Sequence, residues 1–134
     1  MNDDFTPFEL AVKLEEKGFN ESCYGYYHCD GGDNSFEVCG NGDCDFLNSE
    51  NKHRIAAPTI SQVLKWLRVE KKIYLEIGLT YTGFHCTVYR DVVWDMIGGE
   101  DELTYKYHID VYSNSKTTEQ AALAGIEYVL DNLI

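Results

Sequence analysis

Between Thr59 and Tyr89 the spacing of apolar residues changes from a period near 3.6 to a period of 2, which confines the chain to a mixed helix and strand architecture. Ile60, Val63, Leu64 and Leu67 form the stripe of a helix, and Thr59 with Gln62 makes a capping-box pattern at its start, so a helix is predicted over 60–71. Beyond it, Ile73, Leu75, Ile77 and Leu79 alternate with Tyr74, Glu76 and Gly78. After the turn-like T-Y-T-G at 80–83, Phe84, Cys86 and Val88 alternate with His85, Thr87 and Tyr89. Two alternating runs joined by a tight turn predict a β-hairpin. Symmetric closure about the turn sets Glu76 opposite Thr87 and Gly78 opposite His85.

The same signals recur on either side. Near the start, Thr6 is predicted to cap a helix with Pro7 at its first position and Glu9 completing the box. Leu10, Leu14 and Val12 would face the core, Gly18 would stop the helix, and Phe19 would close behind it. At the other end, Thr117 and Gln120 head a helix with Ala122, Ile126, Val129, Leu130 and Leu133 on one face. Another strand is predicted where Tyr105, Tyr107, Ile109 and Val111 alternate with Lys106, His108, Asp110 and Tyr112, after a loop at Gly98, Gly99, Glu100, Asp101 and Glu102. The runs S-C-Y-G-Y-Y-H-C and S-F-E-V-C, set among Gly, Asn and Asp, predict a second hairpin with an acidic tip. The expected order is α-β-β-α-β-β-β-α in one α+β domain over 1–134: three helices on an antiparallel sheet, the acidic half 1–50 continuous with the rest.

Charge narrows the partners. The chain carries a net charge of -12, and residues 1–50 hold 12 acids against Lys13 and Lys17 alone. Such a surface repels phosphate backbones and anionic lipid, so neither direct nucleic-acid binding nor membrane binding is expected. The densest cationic run is Lys65, Arg68, Lys71 and Lys72, which Glu70 interrupts. The start M-N-D-D-F-T-P has no signal-peptide character, and the five cysteines are an odd set, so a cytoplasmic protein with reduced thiols is expected.

Few constellations carry chemistry. Cys39 and Cys44 form a C-x4-C pair that, with Cys23 and His28, would suit a structural zinc site; the competing reading makes these cysteines small apolar side chains on short strands, with no cofactor bound. Calcium loops fail: from Asn41, position 6 is Phe46 and position 12 is Lys52; from Asp30, they are Ser35 and Asn41. Glu76, His85 and His108 fall on the polar face of the predicted sheet and are the surface or ligand-binding candidates. Cys86 and His85 are adjacent in a strand, point to opposite faces and cannot pair. Trp66 and Trp94 are read as partly buried core residues. Phosphate-binding, dinucleotide-binding, serine-hydrolase and zinc-protease motifs do not occur.

Four stretches carry a resemblance: E-L-A-V-K-L-E-E-K-G-F at 9–19, E-S-C-Y-G-Y-Y at 21–27, A-P-T-I-S-Q-V-L-K-W-L-R at 57–68 and T-T-E-Q-A-A-L-A-G-I at 117–126. In these the chain resembles a group of small uncharacterised proteins encoded by gut Bacteroidales and their prophages. The resemblance implies a setting and no mechanism. The reading that follows is a non-enzymatic accessory protein of phage or prophage type acting through contacts with a protein partner. Three alternatives stand beside it: an acidic nucleic-acid mimic that inhibits a host enzyme through Asp30, Asp33, Glu37, Asp43 and Asp45, a structural zinc module, and an enzyme with its site on the polar sheet face.

Overall fold

The computed structural model describes residues 4–29, 35–38, 54–97 and 99–134. Its elements are α1 (Phe8–Glu16), β1 (Gly25–His28), β2 (Phe36–Val38), β3 (Arg54–Ala57), α2 (Ile60–Lys71), β4 (Ile73–Thr80), β5 (Gly83–Arg90), β6 (Val93–Ile97), β7 (Glu100–Thr104), β8 (Tyr107–Ser115) and α3 (Thr118–Asn132). The class is α+β with antiparallel sheets, as the period change requires. The chain forms two compact units, Met1–Gln62 with Ile134, and Val63–Leu133.

In the first unit the sheet runs β2-β1-β3. The predicted hairpin is β1 against β2, with Tyr26 opposite Glu37 and Tyr27 opposite Phe36. Its tip lies outside the described residues. Sequence reading missed β3, which pairs along the other edge of β1 from Gly25↔Ala57 to His28↔Arg54. The run R-I-A-A is too short for a visible alternation, and its value lies elsewhere: Ala56 and Ala57 are buried and small, leaving room for α1, which packs on this strand. Leu10, Ala11 and Leu14 are the buried face of α1, so Ala11 stands where Val12 was expected. Gly18 ends the helix at φ +92, a conformation favouring glycine, and Phe19 N donates to Leu14 O at 2.9 Å with its ring buried, as predicted.

The predicted cap on α1 is not made. Pro7 occupies the cap position with no side-chain hydrogen bond, and Thr6 is drawn into a β-bridge region instead: Phe5 pairs with Thr59, and Thr6 N donates to Pro58 O at 2.9 Å. Helix α2 starts as predicted. Gln62 N donates to Thr59 Oγ1 at 3.2 Å while Thr59 N donates to Gln62 Oε1 at 2.9 Å, the reciprocal pair of a capping box.

In the second unit β4-β5-β8 form one sheet and β6-β7 a separate ribbon. The β4–β5 hairpin closes on Tyr81 and Thr82 with Glu76 opposite Thr87 and Gly78 opposite His85, the register set by symmetric closure. Helix α3, capped by Thr117 Oγ1 accepting from Gln120 N at 3.1 Å, covers one face of this sheet. The core is Ile73, Leu75, Cys86 and Val88 from the sheet with Ala122, Ile126, Val129 and Leu130 from α3. Leu79, counted with the core by alternation, is 75% exposed because the hairpin end runs past the helix-covered part. Trp66 is buried, with Lys71 Nζ 5.3 Å from its ring centroid.

Two corrections concern residues 99–107, Gly98 lying outside the described residues. The acidic stretch expected as a loop is strand β7, paired with β6 from Val93↔Thr104 to Ile97↔Glu100 around a glycine turn with Gly99 at φ +86. Acidic side chains in an exposed ribbon hide the alternation that marks a half-buried strand. Strand β8 begins at Tyr107, and the chain at Tyr105 and Lys106 is a connection held by Lys106 N to Arg90 O at 3.1 Å, so Tyr105 does not continue the core-facing side of β8.

Candidate binding face

Alternation puts polar and aromatic residues of β4, β5 and β8 on the face of the sheet opposite the one α3 covers. Three rows cross it. Tyr74 pairs with Tyr89 and Tyr89 with His108; Glu76 pairs with Thr87 and Thr87 with Asp110; Gly78 pairs with His85. Cross-strand neighbours on one face touch. The Tyr74 and Tyr89 rings are 6.4 Å apart between centroids, and Tyr89 and His108 5.7 Å. Tyr105, folded back from the connection before β8, stands edge-on to Tyr89 at 4.8 Å and to His108 at 5.8 Å. Four rings thus form one cluster. Tyr74 remains 39% exposed and Tyr105 48%.

Carboxylates border the rings. Thr87, itself buried, donates from Oγ1 to Asp110 Oδ1 at 2.7 Å, fixing the acid beside the aromatic row, while Glu76 is exposed at the other end of the same row. Partial burial pushes the Tyr89 phenol above its ordinary range, and the negative charges of Glu76 and Asp110 push the same way. At working pH the phenol is neutral, so it can donate as well as accept a hydrogen bond.

Glu76, His85 and His108 all lie on this face, as sequence reading placed them, but they do not converge. Glu76 and His85 are diagonal neighbours across the β4–β5 pair, with the His85 ring lying over Gly78, where an added Cβ would meet Cε1 at 2.6 Å. His108 is on the third strand, beyond Tyr89, with the Glu76–Thr87–Asp110 row between it and His85. Two strand spacings separate Glu76 from His108, about 10 Å, so direct proton exchange between them would require both side chains to lean across β5. Beside His85 the β5–β8 register shifts, the partner passing from Ser115 at Phe84 to Val111 at Cys86, and Gly83 at φ +142 admits the Ser115 carbonyl, which would lie 2.5 Å from an added Cβ.

The tyrosines were legible only in part. The hairpin register fixes Tyr74 beside Tyr89, but alternation sets Tyr105 on the opposite side of β8, and its place in the cluster depends on the turn at Lys106.

The zinc candidates meet a different environment. Cys23 is buried, donates from Sγ to Glu21 O at 3.4 Å, and its thiol is pushed up to about 12 by burial and then by Glu21. A ligand thiol must lose its proton, and this pocket opposes that. His28 Nε2 is 2.9 Å from Glu37 Oε2, and Glu37 also accepts from the Tyr26 hydroxyl. Cys39 and Cys44 lie outside the described residues. Among the described residues no three His, Cys, Asp or Glu side chains converge as a metal site would require. Of the acids proposed for nucleic-acid mimicry, Asp30, Asp33, Asp43 and Asp45 lie outside the described residues, and Glu37 is engaged by Tyr26 and His28. No helix among the described residues is long and apolar enough to cross a membrane.

No protein-family model, curated protein or solved structure matches this chain.

Proposed function

We propose that the chain is a binding protein without enzymatic activity, acting through protein contacts made by the open face of the β4-β5-β8 sheet. One observation carries the reading: the exposed cluster of Tyr74, Tyr89, Tyr105 and His108, bordered by Glu76 and Asp110. Tyrosine supplies a large, amphipathic contact area at low cost in side-chain entropy, and exposed tyrosines grouped around a partly buried centre are the composition of an interface hot spot. The spread of Glu76, His85 and His108 over different rows suits a contact surface better than a reaction centre. The phage or prophage setting rests on the sequence resemblance. A cytoplasmic location is supported by the unbridged, buried thiols of Cys23 and Cys86.

The test is affinity capture from the source cell with the wild-type chain and with Tyr74→Ala/Tyr105→Ala, both substitutions being at exposed rings. A stoichiometric protein held by the wild type and lost from a folded double variant supports the reading. Turnover of any substrate that Glu76→Gln or His85→Ala abolishes would replace it with an enzyme.

A further inference from the structure

A second feature of the Val63–Leu133 unit shares Tyr74 with the tyrosine cluster and is otherwise formed by different residues. A half-open cavity of about 410 Å³ is lined by Arg68 and Lys72 at the end of α2, Ile73 and Tyr74 at the start of β4, Val92 and Val93 after β5, and Leu103 on β7. Its size is that of a small-molecule site. The lining divides into two kinds. Val92, Val93 and Leu103 with Tyr74 make an apolar wall, the core residue Ile73 borders it, and Arg68 and Lys72 bring two positive charges to it with no carboxylate among the lining residues.

That pair of cations is unexpected in a chain of net charge -12, where acids outnumber bases 23 to 11. Their neighbour Lys71 lies over the Trp66 ring, whereas among the described residues neither the Arg68 guanidinium nor the Lys72 ammonium makes an ion pair or hydrogen bond. The corner that carries them is fixed in an unusual backbone. Lys72 at φ +58 and Asp91 at φ +57 are both in the left-handed region, uncommon for residues other than glycine, and the Lys72 carbonyl accepts from Val92 N at 2.9 Å. Left-handed non-glycine residues gather at ligand sites, where surrounding structure holds them. Here they tie the end of α2 to the β5–β6 connection, so both walls of the cavity are set before any ligand arrives.

We infer that this cavity binds a small organic anion, a carboxylate on an aromatic or aliphatic body, with the carboxylate on Arg68 and Lys72 and the hydrocarbon against Val92, Val93 and Leu103. Arginine offers a fork matched to a carboxylate and lysine a point charge. A polyanion is disfavoured, because the acidic remainder of the chain repels extended negative charge while a single small carboxylate meets mainly the local field.

Amide-resolved NMR titration of the full chain tests this with three probes: 4-phenylbutanoate, the uncharged 4-phenylbutan-1-ol, and inorganic phosphate. The carboxylate is expected to shift amides of 68–74, 92–93 and 103 saturably, binding about five-fold or more tighter than either the alcohol or phosphate. Arg68→Gln and Lys72→Asn, the latter chosen because asparagine tolerates positive φ, should each weaken it by about five-fold. Lys65→Gln, a cation of the same helix away from the cavity, should leave it unchanged. Arg68→Lys keeps the charge and should retain most of the affinity, which separates loss of a ligand contact from loss of fold. The inference is overturned if no shifts saturate, if they centre elsewhere, if the alcohol or phosphate binds as well, or if the Arg68→Gln and Lys72→Asn variants bind as the wild type does.

Discussion

At Gly125 in α3 a single missing Cβ sets how closely the helix lies on its sheet. An added Cβ would stand 2.4 Å from Cys86 Sγ and 2.9 Å from Leu75 Cδ2, both core atoms. Alanine would gain about 1 kcal/mol in helix propensity, but overpacking a close-packed core costs about 1–3 kcal/mol. Gly125→Ala should therefore lower stability in urea unfolding, and Cys86→Ala, which removes the nearest atom, should recover part of the loss in the double variant. Equal stability of Gly125→Ala and wild type would show that helix and sheet are not in such contact. Cys86 itself is sealed there, its thiol pushed up to about 12 by burial. At pH 8 the thiolate is then only a trace form of Cys86, and the same holds for Cys23. A chain with Cys29, Cys39 and Cys44 changed to Ser should react with a thiol reagent only on unfolding, and rapid native labelling would contradict that burial. Glu37 gives the pH dependence at this scale. The Tyr26 hydrogen bond, then His28, lower its pKa. A depressed carboxylate contributes stability above its unfolded pKa, about 4.3, and loses it as pH falls through the lower folded value. The difference in urea midpoint between wild type and Glu37→Gln should be present at neutral pH and vanish in strong acid; a difference that grows on acidification would reverse the sign.

Among the elements, the helices were the most legible because their starts are written in local hydrogen-bonding chemistry, and the two capping patterns that differ in outcome show where that legibility ends. Thr59 and Gln62 satisfy each other's backbone donors, whereas Thr6, with the same local pattern, is taken up by pairing with Pro58 across the chain. Local sequence could not reveal this, since the competing partner, Pro58, is 52 residues away. The two threonines should respond oppositely to substitution. Thr59→Ala should cost about 1 kcal/mol as a lost cap. Thr6 Oγ1 is buried and, among the described residues, has no hydrogen-bond partner, so Thr6→Val should be neutral or stabilising by about 1 kcal/mol. Chemical denaturation of both variants decides it; a Thr6→Val loss as large as that of Thr59→Ala would restore the capping role. Strands follow the same rule. The β4–β5 register was readable because a two-residue turn and alternation agree, while β3 is too short and β7 too acidic for alternation to show. The candidate face inherits this division: Glu76, His85 and His108 could be set on it from pattern alone, but Tyr105 reaches it only through a turn that no local motif announces.

For the whole molecule the governing quantity is charge. The net -12 is concentrated in residues 1–50, where 12 acids face two lysines, and like charges held together in a compact chain destabilise it by self-repulsion. Added salt acts on both signs of interaction, weakening attractive pairs along with the repulsion. In a chain with twice as many acids as bases the repulsive terms are the more numerous, and many act over distances where screening is strong. The Debye length falls from about 30 Å at 0.01 M to about 8 Å at 0.15 M, so repulsion between acids on different parts of the surface is largely removed over that range, while close or partly buried pairs lose less. Thermal unfolding should therefore shift upward by a few degrees as sodium chloride is raised from about 0.01 M to about 0.15 M, a range kept low so that screening dominates over preferential exclusion. Replacing surface acids of the first segment should reduce that shift: Glu15→Gln/Glu16→Gln, at exposed positions at the end of α1, should raise the low-salt midpoint and flatten its salt dependence. A midpoint that is unmoved or lowered by salt would mean that attractive pairs outweigh the repulsion, and the acidic excess would then carry no cost to folding.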